Sequence, residues 1–255
     1  MKTMSNNKKT IVDFNASNDK LEAAYNKYRS VYNVSSDLDL IFKIALNDKE
    51  RFPAINFTDK EVSYEHYVER WVKSYADADN ISPSQHIANP KASCSDPAVK
   101  MIVKIATDSS EEKSNEQERH HNLFMSAENI QGDLLEEFIA VNIRCFGWLW
   151  CKGNILRAVD FCSEDGAVYL QVKNKNNTEN SSSSAIRAGT EIKKWYRLGT
   201  SRRDSICLPS YKWAVLNKII NENNKTNNKC ELSEEAYIKF LNRVVSGNKK
   251  IVCDR

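Results

Sequence analysis

Glycine and proline are scarce in this sequence, with 7 Gly and 5 Pro among 255 residues. An all-β sandwich or barrel uses such residues at each reversal, so their scarcity favours helices around a modest sheet. Long apolar runs are missing: none approaches the roughly 20 residues of a membrane-spanning helix. The opening MKTMSNNKKT has no hydrophobic signal region. Both absences lead us to expect a cytoplasmic protein with no membrane partner. No Cys-x-x-Cys pair occurs among the seven cysteines (Cys94, Cys145, Cys151, Cys162, Cys207, Cys230 and Cys253), which argues against a structural zinc site. Their odd number fits free thiols in a reducing compartment. A strong excess of one charge is also missing, since 37 Lys and Arg face 34 Asp and Glu. The resulting +3 cannot by itself identify a nucleic-acid partner.

What is present is a globular composition. Hydrophobic residues make up 41% and charged residues 28%, enough for a packed core. Residues 1–18 read as a loose polar tail. From about Leu21 to Lys104 the pattern is mainly helical: LEAAYNKYRSVY, LDLIFKIAL, YEHYVERWVKSYA and DPAVKMIVKIA repeat apolar residues every three or four positions. The stretch 107–121 is almost devoid of apolar residues and reads as an exposed loop or a solvated helix face. After Ser126, Leu135, Phe138, Ile139, Ile143 and Phe146 mark one face of a helix ending near Gly147. ILRAVDF (155–161) and AVYLQVK (167–173), separated by a turn with Asp165–Gly166, predict a β-hairpin. An amphipathic helix is expected around Glu191–Leu198, and two more at 211–220 and 232–245, joined by the low-complexity NENNKTNNK.

Charge is unevenly spread. Between Arg144 and Lys212 there are twelve Lys and Arg against six Asp and Glu, a net +6 where the whole chain carries +3. The segment holding the hairpin is therefore the basic part, as phosphate binding requires.

The residues that carry chemistry lie on that hairpin. Alternation along its second strand sends Val168, Leu170 and Val172 towards a core, and Tyr169, Gln171 and Lys173 to the other face. Asp160 stands on the first strand. A carboxylate, an amide oxygen and an ammonium are then gathered together. Phosphodiester hydrolysis uses such a set: the carboxylate holds Mg²⁺, which polarises the phosphoryl oxygen and acidifies a water, while the lysine orients that water and stabilises developing charge. The pattern is short, and ordinary surface hairpins display the same residue types. Glu136, on the preceding helix in Gly132–Asp–Leu–Leu–Glu136, is the candidate for an additional metal-binding acid, with Glu137 in reserve. Beyond Lys173, the run from Asn174 is rich in groups that bond base edges or phosphates, and Lys175, Asn177, Asn180, Ser182 and Arg187 are the candidate DNA contacts. A flexible Ser/Asn linker has similar composition. The four histidines (His66, His86, His120 and His121) form no catalytic pairing.

The order of helix Glu, Asp strand, turn and QxK strand resembles the PD-(D/E)xK nuclease superfamily. The block from Gly132 through GNILRAVDFC, LQVKNKNNTENSSSSAIRAGT and IKKWYR is similar to type II restriction endonucleases of the SinI kind. That resemblance implies an α/β (α+β) fold with a central mixed β-sheet flanked by helices. It implies Mg²⁺-dependent cleavage of double-stranded DNA leaving 5′-phosphates, and a homodimer on a short palindromic site with a companion methyltransferase. Asp160 would take the place of the metal-ligating Asp, Gln171 that of the second ligand, and Lys173 that of the catalytic Lys. Two departures stand out: Ala158–Val159 where a Pro precedes the Asp, and Gln171 where an acid is usual. The second removes one negative charge and makes Glu136 more necessary. Residues 1–125 are then expected to be a mainly helical region serving as an accessory, dimerisation or DNA-clamping lobe. Residues 126–255 are expected to be the nuclease core with its C-terminal helices. A structure-specific or methyl-directed nuclease, or a catalytically silent DNA-binding module of the same fold, are the competing readings.

Overall fold

The computed structural model describes residues 7–59, 61–88, 96–175, 192–203, 206–224 and 226–253. In chain order the elements are β1 (Asn7–Lys9), α1 (Asn18–Tyr32), α2 (Ser36–Asn47), β2 (Ile55–Phe57), α3 (Tyr64–Asn80), α4 (Pro97–Ala106) and α5 (Glu111–Ile143). There follow β3 (Trp148–Trp150), β4 (Phe161–Ser163), β5 (Tyr169–Lys175), β6 (Ile192–Arg203), β7 (Ile206–Tyr211), α6 (Trp213–Glu222) and α7 (Glu234–Gly247). The five strands β3–β4–β5–β6–β7 form one sheet in that order. Only β5 and β6 run parallel, so the sheet is mixed, as expected for this fold class.

Two compact units interleave along the chain: 1–81 with 139–234, and 82–138 with 235–255. In the first, α1–α3 and the sheet share a core in which Leu21, Tyr25, Ile41, Phe42, Trp71 and Tyr75 join Leu149, Ile155, Leu156, Cys162 and Tyr169. Tyr25 stacks on Phe42 with ring centroids 4.0 Å apart, and Trp71 lies 5.3 Å from Phe52. Each such fully buried large side chain contributes about 1.5–3 kcal/mol. Arg144 closes the connection into β3 by pairing with Asp37 of α2 and with Glu164 of the β4–β5 turn. The turn itself follows the sequence: Gly166 takes φ +69, and the Asp165 carboxylate accepts from Ser163 Oγ and Ala167 N.

In the second unit, Phe138 of α5 packs on Tyr237 and Phe240 of α7, at 5.3 and 5.5 Å between centroids. Asn248 Nδ2 donates to the carbonyls of Ser84 and His86, tying the end of α7 to the turn at Pro83–Gln85.

Three expectations need correction. The polar tail contains β1, which pairs antiparallel with β2. Only Phe161–Ser163 of the first hairpin strand is extended, because residues 155–159 turn against α3. Residues 192–203 are strand β6 rather than a helix. The three-residue spacing of Ile192, Trp195 and Leu198 imitates a helical face, but hydrogen bonding to β5 determines the conformation. Of the two readings for 107–121, the solvated helix holds from Glu111 onwards, where the 33-residue α5 begins.

Candidate active site

The approach to Asp160 is set by α3. Trp71 Nε1 donates to the Ile155 carbonyl at 2.8 Å, and Ser74 Oγ donates to the Gly153 carbonyl at 2.6 Å. A Cβ on Gly153 would stand 2.5 Å from the Ser74 carbonyl oxygen, so this close approach requires glycine. Arg157 N donates to the Arg51 carbonyl at 2.7 Å. Ala158 then takes φ +60, a left-handed conformation that costs an L-residue about 1–2 kcal/mol. This reversal delivers Asp160 into the sheet, where Cys151 N donates to its carbonyl at 2.8 Å and its own N–H donates to the Leu170 carbonyl at 3.0 Å.

The β4–β5 register pairs Phe161 with Leu170 and Cys162 with Tyr169, and its continuation puts Asp160 opposite Gln171. Asp160 Oδ2 accepts from Val172 N at 2.7 Å. In the parallel β5–β6 pair, Gln171 aligns with Lys194 and Lys173 with Tyr196. Asp160, Gln171, Lys173, Lys175, Lys194 and Tyr196 therefore share one face of the sheet. Sequence reasoning did not place Lys194 and Tyr196 there, because it took their segment for a helix. The alternation Ile192, Lys194, Tyr196 was the signal available.

This face is more enclosed than alternation suggested. Tyr169 and Gln171 are buried along with Val168, Leu170 and Val172, and the chain opens to solvent only from Lys173 onwards. β5 is the central strand of the sheet and is covered on both sides, with Arg51 lying 4.3 Å above the Tyr169 ring. Gln171 is 5% exposed, and its Oε1 has no hydrogen-bond partner. A buried carbonyl left in that state costs about 1–3 kcal/mol. Burial also pushes the Asp160 carboxyl above its ordinary range, while the Val172 N–H and the Lys173 ammonium pull it down. The pair thus offers an unsatisfied amide oxygen beside a carboxylate whose charge is poorly solvated. These are hard oxygen donors, and they fit a divalent cation. Among the described residues, no three His, Cys, Asp or Glu side chains gather as a metal site. A hairpin with Gln171 in place of an acid contributes only one carboxylate.

Glu136 is half-buried on α5, in the part that belongs to the second unit. Its neighbour Glu137 is buried, and its two oxygens accept from Ser84 N at 2.7 Å and Ser84 Oγ at 2.6 Å. Glu137 thereby ties α5 to the turn at Pro83–Gln85. Lys175 is exposed at the end of β5. Asn177, Asn180, Ser182 and Arg187 lie outside the described residues. Asn174 turns to the opposite face, where its Oδ1 accepts from Arg197 Nε at 2.9 Å. Arg197 also pairs with Glu234, whose other oxygen accepts from Trp213 Nε1 at 2.8 Å.

The family model for the SinI restriction endonuclease matches residues 39–246. The chain is 35% identical over 196 residues to the type II restriction enzyme SinI of Salmonella infantis, covering 74% of this chain and 85% of that enzyme. It is 33% identical over 199 residues to the type II restriction enzyme Eco47I of Escherichia coli, covering 74% and 84% respectively. The matched span takes in both the helices that support the Asp160 segment and the strands that carry Gln171 and Lys173, and on this extent of similarity the chain belongs to the SinI restriction endonuclease family.

Proposed function

We propose that this protein is a type II restriction endonuclease that hydrolyses phosphodiester bonds of double-stranded DNA at a short palindromic site, with Mg²⁺ as cofactor and 5′-phosphate ends as products. The observation that carries the proposal is the buried, unpartnered Oε1 of Gln171 opposite Asp160 and two residues before Lys173. Asp160 and Gln171 would hold the cation, with Glu136 as the additional acid. When bound, Mg²⁺ supplies Lewis acidity to the phosphoryl oxygen and lowers the pKa of a water. Lys173, at the rim where the face opens to solvent, orients the attacking water and stabilises charge that develops on the phosphate. Burial around Tyr169 and Gln171 excludes bulk water and so strengthens each of these interactions. Lys175, Asn177, Asn180, Ser182 and Arg187 would contact the DNA, with sequence read at base edges and orientation set at phosphates. The same reading includes a homodimer acting on the two strands, a companion methyltransferase protecting the host site, and a cytoplasmic location. Among the described residues, no helix is long and apolar enough to cross a membrane.

Plasmid DNA incubated with the full chain and Mg²⁺ tests the reading. Discrete fragments whose ends accept ligation without prior phosphorylation are expected. Random degradation, or cutting only at junctions, would favour a structure-specific nuclease. Retarded but intact DNA would mean a binding module.

A further inference from the structure

On the face of the sheet opposite Gln171 lies a salt bridge that the cleavage chemistry does not use. The side chains of Arg197 in β6 and Glu234 at the start of α7 are only 11% and 14% exposed, and they pair. At that burial, desolvation of the two charges offsets most of their attraction, and apolar side chains of similar volume would serve stability as well. What apolar residues would not supply is direction. The guanidinium is a rigid fork: Nη1 donates to Glu234 Oε1, and Nε donates to Asn174 Oδ1 at 2.9 Å.

Each part of this anchor is itself held. Glu234 Oε2 accepts from Trp213 Nε1 at 2.8 Å, and the Trp213 ring stands 5.1 Å from that of Trp195, whose Nε1 donates to the Lys212 carbonyl at 2.9 Å. Lys212 N in turn donates to the Arg197 carbonyl at 2.9 Å. Two asparagines one turn apart on α6 bind the segment that leads into Glu234. Asn221 exchanges hydrogen bonds with the backbone of Cys230 at 2.7 and 3.0 Å, and Asn217 with that of Leu232 at 2.9 and 2.8 Å.

Asn174 is the far end of this chain of bonds, and Lys173 and Lys175 flank it in sequence. Alternation along β5 turns both lysines to the face shared with Asp160 and Gln171. The buried part of β5 ends at Val172, so packing fixes the strand up to that residue and no further. We propose that Asn174, held by the Arg197–Glu234 pair, is a positioning residue for Lys173: the bond on one face of β5 sets where the lysine stands on the other. This role rests on the restriction-endonuclease reading, in which Lys173 meets the attacking water. It assigns the Asn174 amide to the protein's own frame instead of to base edges. Small displacements are enough to matter, because misplacing a reacting group by about 1 Å costs on the order of a hundredfold in rate.

Plasmid DNA with Mg²⁺ and the full chain in excess tests the role, since the rate at saturation is then read apart from affinity. Asn174→Ala should cleave roughly ten- to a hundredfold more slowly, while its binding to the same DNA without Mg²⁺ stays at the parental affinity. Asn174→Asp keeps an acceptor for Arg197 Nε and should restore the parental rate. Arg197→Lys keeps a cation for Glu234 but lacks the fork that reaches both acceptors, so its rate should fall as that of Asn174→Ala does. It carries the test if Asn174→Ala does not fold, and thermal melting shows which variants are folded at the assay temperature. A parental rate in Asn174→Ala, an equal loss in Asn174→Asp, or a loss carried by affinity instead of the saturated rate would each overturn the role, the last by making Asn174 a DNA contact. A parent that cuts no plasmid removes the endonuclease reading and the role of Asn174 with it, whereas a cutting parent matched by Asn174→Ala removes only the role.

Discussion

Asp160 is held by the backbone of the strand opposite it: its Oδ2 accepts the Val172 N–H at 2.7 Å, in a setting where burial opposes ionisation. Its two roles can therefore be separated. Asp160→Asn keeps an oxygen for Val172 and removes a poorly solvated charge, so the metal-free protein should be at least as stable as the parent. Asp160→Ala leaves the N–H unmatched and should lose about 1–3 kcal/mol in urea unfolding. Both should abolish cleavage while retaining DNA binding. Cleavage near the parental rate by either variant would remove Asp160 from the site.

Gln171 makes a different prediction. Gln171→Glu would set a second carboxylate against Asp160 in a buried place, where like charges disfavour each other. Without a divalent cation the variant should melt below the parent. Added Mg²⁺ should recover the loss and half-saturate cleavage at a lower concentration than in the parent. Gln171→Ala should cleave at least tenfold more slowly. A melting temperature of Gln171→Glu indifferent to Mg²⁺ would count against a cation at this position.

The parts of the fold that could be read from the sequence are those governed by local chemistry. The helices α1–α3, α6 and α7 bury the stripes that their periodicity marks, and Asp165–Gly166 makes the reversal its residue types demand. What escaped depended on partners far along the chain. β6 owes its conformation to β5, and residues 155–159 are turned by Trp71, Ser74 and Arg51, more than 75 residues upstream. Asp160, Gln171 and Lys173 were visible because their spacing follows the strand period. The enclosure of Gln171 was not visible, since alternation distinguishes two faces without saying whether both are covered.

Adjacent glutamates on α5 should behave in opposite ways. Glu137 is buried with both oxygens bonded to Ser84, so Glu137→Ala should destabilise the protein by about 1–3 kcal/mol. Glu136→Ala should reduce cleavage much further than Glu137→Ala does. Unfolding curves and single-turnover rates on the same two proteins compare them. The reverse ranking in cleavage would exchange their assignments.

Glu111 gives the α4–α5 pair a pH dependence. Hydrogen bonds and charge from Lys100 and Lys104 lower its carboxyl from 4.5 to about 2. A depressed acid stabilises the folded form above its ordinary value, and the contribution is lost as pH falls towards the folded value. Amide exchange in α4, corrected for intrinsic rates, should thus be constant above pH 5 and accelerate from about 4.5 down to about 2. Glu111→Gln should remove that dependence. Protection in α4 that ignores pH across this window would show that Glu111 does not anchor the helix.

Lys175 and Arg187 should differ in what they contribute to DNA binding. Lys175 is exposed at the end of β5, on the face shared with Gln171 and Lys173, where the chain leaves the enclosed site for solvent. On the proposed function, a cation there would meet the phosphates flanking the scissile bond. Lys175→Ala should weaken cognate and mismatched duplexes alike and lower the salt slope by about one ion. Arg187 follows in the Asn- and Ser-rich run, and its fork of donors suits the O6 and N7 of guanine. Arg187→Ala should cost about 1–3 kcal/mol of discrimination at one base pair, while the duplex mismatched at that base pair is bound much as before. Binding of cognate and mismatched duplexes at two salt concentrations separates the cases. If both variants only weaken binding uniformly, the run contributes charge and the base contacts come from elsewhere in the chain.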